Sequence, residues 1–538
     1  MNISIKQMYR FLVLIPLLVL GGNVIAQTNL ANVTIVAGAT NTGGSFTGTA
    51  PNRVWTPSAT TSSIGVTNLV TELNASDVTI NTAFATGTGA GDVTFNAAIT
   101  TAGTSTVART FTINTSGTIT VSQAITLTRT TAAALTAGLP GVNISFTGSN
   151  ISATAAITAN GGIGGSSNGN GAGQRVGGIG GNAGNITLTA SSTLTISAAL
   201  NAIGGQGGNS QSSADNTSGG NGGVITLNSG NSASALSAGI SSAGGAGGTG
   251  GSGTVGVAGT NGSLVGSGPM TISGIISNML SLTKNGTGTL TLSGANTFAG
   301  ITTINAGVLS IAADNNLGAA PGAATAGRLV LNGGELNTTA TFTLSANRGI
   351  TVGASGGTIN TATGTTLTYG GIAAGTGALT KSGAGTLTVS GTSTFSGGTT
   401  LSEGVLNINS AAAIGTGALT INAATILNNS TGAAITLSNA NAINLNGSFT
   451  FTGTQSLNFG AGATTIGADL TITTTANTLT IGGAVTGATR NLTKAGAGTL
   501  AFGANAVSVN NLVIDAGTLT ASSATTTING NFTNNATF

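Results

Sequence analysis

The sequence predicts an all-β protein, a parallel β-helix (β-solenoid) drawn out into an elongated rod. Three observations carry that prediction. The stretch 282–311 recurs without a gap at 379–408, offset by 97 positions, with 19 identities in 30 aligned residues. A weaker third copy runs from Leu492-Thr493-Lys494 to Gly517-Thr518-Leu519, and repetition of so short a unit means coils that bury one another's cores. Charged residues make up 4% of the chain and 91 residues are glycine, where an ordinary domain carries about 25% charge. Apolar and polar residues alternate, as in Thr289-Leu290-Thr291-Leu292 and Thr471-Ile472-Thr473, the period-2 signature of half-buried strands. Disordered chains are poor in β-branched residues and richer in charge. Helix is disfavoured because Gly and Thr are everywhere and no 3.6-residue apolar stripe persists.

Residues 1–26 read as a secretory signal. Lys6 and Arg10 charge the leading segment, Phe11–Leu20 is almost unbroken apolar sequence, and Val24-Ile25-Ala26 offers a cut near Ala26. The apolar run is about half of the ~20 residues a spanning helix needs, and no later stretch qualifies as one. The expected location is secreted, or on the cell surface in association with the outer membrane. Cleavage removes Lys6 and Arg10 and leaves ten basic against nine acidic residues, a net charge of +1. The basic residues are scattered singly, which excludes a nucleic-acid surface. Cysteine is absent, as a rod stabilised by coil-on-coil burial permits.

Three regions follow. Residues 27–160 read as an N-terminal cap and a Thr/Ala-rich solenoid, with short strands such as Val78-Thr79-Ile80 and Phe111-Thr112-Ile113. Trp55, the single tryptophan, reads as a plug in that cap, closing an edge that would otherwise recruit other chains. Residues 161–268 read as a Gly-rich, loop-bearing solenoid. Clusters such as Gly161-Gly162-Ile163-Gly164-Gly165 are expected as long loops leaving one corner, with strands Ile186-Thr187-Leu188 and Val224-Ile225-Thr226-Leu227 between them. Residues 269–538 hold the repeats. At about 20 residues per coil and ~4.8 Å between coils, the rod is expected to have about 25 coils and to measure on the order of 120 Å. In the third repeat Ser508 replaces Phe395, Asn510 replaces Gly397 and Ala521 replaces Ile408, so a slimmer cross-section is expected there.

Leu282-Thr283-Lys284-Asn285-Gly286-Thr287-Gly288-Thr289-Leu290, with Phe298 and Asn305-Ala306-Gly307-Val308-Leu309, resembles the autotransporter-associated β-strand repeat of exported passenger regions in Gram-negative surface proteins. The likeness covers about 281–519. It implies a right-handed β-helix on, or shed from, the outer membrane, often adhesive and handled by outer-membrane export machinery, and it brings no shared catalytic set. Autotransporters end in an outer-membrane barrel, and the sequence after Leu519 does not read as one. Phe538 matches the usual last residue of such barrels, but Asn531–Thr537 reads as mid-solenoid sequence. The expectation is a fragment of a longer product, or another export route.

No catalytic, cofactor-binding or metal-ligating residues are assigned, and no cofactor is expected. The chain lacks both His and Cys, which removes the usual nucleophilic systems and zinc sites. The nine acids are mostly isolated, with Glu72 and Asp77 nearest in sequence. Asp314, Glu335 and Glu403 read as solvated corner residues. The glycine clusters lack the aspartates that a calcium-binding β-roll needs. Lys284, Lys381 and Lys494 recur at one repeat position and read as solvated turn residues that discourage association of a nearly uncharged surface. An ice-binding rod, suggested by Thr-x-Thr pairs, is set aside because the 97- and 113-residue spacings show no short regular coil. The sequence therefore points to an exported structural or adhesin-like rod, with weak multivalent contact to host or environmental glycans or to other cells. The alternative is a β-helical polysaccharide lyase or hydrolase with its site outside the repeats.

Overall fold

The computed structural model describes residues 30–83, 89–101, 105–130, 132–167, 176–211, 217–250 and 254–536. The signal segment 1–26 and Phe538 lie outside the described residues. Short strands stack in parallel over the whole described length, and their sheets form the faces of a right-handed parallel β-helix. Along each strand burial alternates, with Leu, Ile, Val and Phe inward and Thr, Ser and Asn at the surface. Inward residues stack in columns, as in Ile99, Ile125, Ile157, Leu200, Ile240 and Ile276 on six successive coils. Burying each such side chain contributes about 1.5–3 kcal/mol.

Counting strands round each coil gives three faces. Face I is a 13-stranded sheet reaching Ala373–Gly375, taken up again by a five-stranded sheet from Ile435–Thr436. Face II is a 20-stranded sheet that spans the rod, a length of about 90 Å at ~4.8 Å per strand. This is shorter than the expected 120 Å, because coil length is uneven. Ile119 and Ile151 are register neighbours on face II, 32 residues apart, and Ile151 and Leu194 are 43 apart. Leu290 and Leu309 are only 19 apart. Face III is a six-stranded sheet ending at Ile276–Ser277, resumed by a ten-stranded sheet from Phe342–Leu344.

The N-terminal end is covered. An antiparallel ribbon of Gly44–Thr47 and Asn52–Pro57 starts face I. A helix, α1 (Val66–Ala75), buries Leu69 and Leu73 against the first strands of all three faces. It is the one α-helix among the described residues, and its i, i+4 leucine pair is the only apolar helical spacing it needs. Trp55 is fully buried, edge-on to Phe46 with ring centroids 5.2 Å apart, and its Nε1 donates to Ser62 Oγ at 3.3 Å. It is unavailable for stacking on a sugar.

Candidate functional site: plugged corners and a glycine plate

Inward alternation places Leu282 and Lys284 on the same side of strand Met279–Asn285, and both are fully buried. Lys381 stands in the aliphatic column of face II, between Ile359 and Leu401. Lys494 stands between Ile472 and Ile514 on face III. Each four-carbon stem thus packs as an apolar side chain while its ammonium meets three backbone carbonyls. Lys284 Nζ donates to Asn285 O, Gly286 O and Ala306 O at 2.6, 2.7 and 3.2 Å. Lys381 Nζ donates to Ser382 O, Gly383 O and Glu403 O at 2.7, 2.7 and 3.1 Å. Lys494 Nζ donates to Ala495 O, Gly496 O and Ala516 O at 2.8, 2.7 and 3.0 Å. Two carbonyls come from the lysine's own turn and the third from the corner one coil later, so each ammonium ties two coils together.

These lysines are therefore not the solvated turn residues expected from sequence. An unpaired ammonium would be costly to bury, but three accepted hydrogen bonds satisfy all its protons. The glycines of the repeat build the cradle. Gly286, Gly307, Gly383, Gly404, Gly496 and Gly517 all have φ between +63° and +79°, a region that glycine alone enters freely. A Cβ on Gly307 would stand 2.8 Å from Lys284 Nζ. Burial pushes each ammonium down to about 8 from 10.5.

The spacing of the repeats now has a geometric meaning. Four coils on from Lys284 its column reaches Gly375 on face I, and Lys381 lies on the next face of that coil. The column of Lys381 reaches Ile466 after four coils. A fifth coil carries Val485–Gly487, and Lys494 lies on the face after it. The 97- and 113-residue offsets are thus four and five coils plus one face, and the three plugs occupy three different corners of the prism. Coils here are short and regular, so the stated ground for setting aside an ice-like lattice was wrong. Thr and Asn rows cover all three faces, however, and no single face is set apart.

In the first two repeats one face carries no strand. Phe298 and Phe395, both buried, fill that place, and face III and then face I are interrupted there. In the third repeat strand Val507–Val509 keeps face II intact, with two buried valines flanking Ser508. The expected slimming at Ser508 does not occur, because a strand replaces the phenylalanine corner.

The glycine-rich runs are not open loops. Segments 159–167, 201–210 and 241–250 leave the prism in one layer, and 136–142, 177–184, 217–223 and 255–262 return in a second. Amides of Gly259, Gly245, Gly220, Gly205, Gly181 and Gly162 donate in turn to Gly245, Gly220, Gly205, Gly181, Gly162 and Leu139 carbonyls, each at 2.8 Å, zigzagging between the layers. Within a layer, Gly161 N donates to Ile203 O and Gly204 N to Ala243 O, both at 2.9 Å. Burial repeats every three residues, two glycines inside and one residue out, the period of a polyproline-II helix. The layers touch backbone to backbone, and a Cβ on Gly205 or Gly220 would land on the carbonyls of Gly162 or Gly181. Outward asparagines cap remaining amides. Asn182 Oδ1 accepts from Asn221 N at 2.8 Å, and Asn221 Oδ1 from Thr260 N at 2.9 Å.

The acids are held apart and occupied. Glu72 pairs with Arg53 at 2.9 Å, and Asp77 Oδ1 accepts from Thr110 N at 2.9 Å. Asp314, expected as a solvated corner residue, is paired at 2.9 Å with Arg348, whose side chain is buried and also donates to Leu317 O at 3.0 Å. Glu403 lends its backbone carbonyl to Lys381, while Glu335 is half-buried on face II. No cluster of three or more potential metal ligands occurs among the described residues. Among them no helix is long and apolar enough to cross a membrane, which says nothing of β-barrels.

The family model of the Passenger-associated-transport-repeat matches 282–311, 379–408 and 492–521, the three segments that carry the plugged corners. A 101-residue stretch is 44% identical to the adhesin BmaC autotransporter of Brucella suis, covering 19% of this chain and 3% of that protein's length. No solved structure matches the chain.

Proposed function

We propose that this chain, an autotransporter-passenger-like repeat protein, serves as an exported, adhesin-like rod that carries binding surfaces away from the cell. The observation that supports this reading best is the continuous prism itself. Its 20-stranded face gives reach, its buried charges are consumed in holding coils together, and its surface is a field of Thr, Asn and Ser suited to many weak hydrogen bonds. Contact with glycans or other cells would be multivalent, each site adding little and the array adding much. The chain would pass through outer-membrane export machinery after cleavage near Ala26, without catalytic turnover of its own. The test is binding of the mature chain, as monomer and as a bead-coupled array, to glycan-bearing and glycan-stripped cell surfaces. Retention of arrays on glycan-bearing surfaces, with monomer washing off, supports the reading. Equal indifference of both forms, or turnover of a polysaccharide, would end it.

A further inference from the structure

The described residues contain two ion pairs, Arg53 with Glu72 and Arg348 with Asp314. Two other arginines near the covered end, Arg109 and Arg129, have no acid. Arg129 follows strand Ile125–Thr126, and its side chain turns inward and is 3% exposed. Its Nε donates to Pro140 O at 3.1 Å and its Nη1 to Asn74 Oδ1 on the last turn of α1 at 3.4 Å. Its Nη2 is buried and has no partner. Arg109 opens strand Thr110–Asn114 of the neighbouring face, and its carbonyl accepts from Asn143 N at 2.7 Å. Both arginines therefore flank the segment 140–143, and Arg109 Nε is likewise buried and unpartnered. The charge of Arg109, after burial itself, works against that of Arg129. Asp77, the acid beside this strand, has its Oδ1 committed to Thr110 N.

Two guanidinium groups with orphaned donors, side by side and lacking a carboxylate, are costly unless something else completes them. The missing partner needs negative charge and several acceptor oxygens on a small body. A planar guanidinium fork fits such a group better than any halide. Lysine at these places would offer one point charge, whereas the two forks converge from different faces. We infer that Arg109 and Arg129 form a binding site for a single small oxyanion of sulfate or phosphate type, at the corner beside the last turn of α1. Arg129 supplies the buried anchor and Arg109 the half-buried rim through which the anion enters.

The test measures thermal unfolding of the mature chain against inorganic sulfate, inorganic phosphate and a sulfated glucose, with chloride holding ionic strength constant. Wild-type protein is expected to show a saturable rise of several degrees in its unfolding midpoint with the oxyanions. Arg129→Met should abolish the saturable part, and Arg109→Gln should move half-saturation at least tenfold higher. Sulfate also stabilises proteins in general by exclusion from their surface, so an equal, non-saturating rise in wild type and variants overturns the site. A saturable response to chloride alone overturns its oxyanion character. If Arg129→Met does not fold, Arg109→Gln and calorimetric titration of wild type with inorganic phosphate still decide. Binding of the inorganic ions alone assigns the anion as a free ion, and binding of the sugar sulfate assigns it as a glycan group; both uphold the site.

Discussion

The coils between 186 and 262 are held by backbone packed on backbone, whereas those between 282 and 521 are held by side chains packed on side chains. In the first region the prism walls are conventional strands, but 32 to 43 residues pass between register neighbours, and the excess goes into the glycine plate. In the second, coils of about 20 residues leave no excess, and the corners are closed by lysine stems and phenylalanines. Glycine is used in both for opposite reasons. In the plate the absence of Cβ lets chains approach; in the repeats positive φ aims carbonyls at an ammonium. The same residue type therefore carries different penalties when it is replaced.

The largest expected effect is Gly220→Ala. Its new methyl would fall on the Gly181 carbonyl, and the plate cannot move one layer without breaking the zigzag of hydrogen bonds. Loss of about 4 kcal/mol of local stability is expected, at the exceptional end for one substitution. Hydrogen exchange across 200–262 should read it. Gly322→Ala, where nothing stands within 4 Å, should change stability by less than about 0.5 kcal/mol. Equal losses at the two positions would erase the distinction drawn here.

Next is Lys381→Met, which keeps the apolar stem and removes the ammonium. Three carbonyls lose their donor, and the corner should weaken by about 2 kcal/mol, visible as faster exchange at Gly383 and Gly404 with the plate unaffected. Alkaline titration sharpens the same point. The folded chain releases the Lys381 proton near 8, and the unfolded chain only near 10.5. Between those values the folded state binds fewer protons, so local stability rises with pH. Exchange at 379–408 should slow from pH 8 to 10, after correction for intrinsic rate, in wild type but not in Lys381→Met. A fall in wild type would mean that the carbonyl cradle outweighs burial in setting the titration.

The smallest effect runs the other way. Thr361 is fully buried and its Oγ1 has no partner. Thr361→Val keeps the shape and removes an unsatisfied hydroxyl, for a gain of about 1 kcal/mol. A loss instead would reveal a partner for that hydroxyl.

Much of this architecture is legible in residue order, because alternation is a one-dimensional record of inside and outside. The strands around Ile186 and Val224 follow from it directly. Lys284 was legible as well, since Leu282-Thr283-Lys284 alternates and puts the lysine inward with the leucine. The expectation that a charge seeks water overrode the pattern, because the carbonyls that satisfy it include one 22 residues away. The plate left a trace too, in the three-residue period of Gly161-Gly162-Ile163-Gly164-Gly165. Glycine runs read as loops when each is taken alone, and only stacking on neighbours makes them ordered. The arginine pair left no local signal: Arg109 and Arg129 meet through the segment 140–143, which sequence separation conceals.

The most direct test of the plugged prism uses the scarcity of lysine. The chain has four, and Lys6 precedes the described residues. Amine-directed acetylation of the native mature chain, read by mass spectrometry, should leave Lys284, Lys381 and Lys494 unmodified until the protein is unfolded. Rapid modification of any of the three in the native protein would contradict the burial on which the coil-to-coil ties depend.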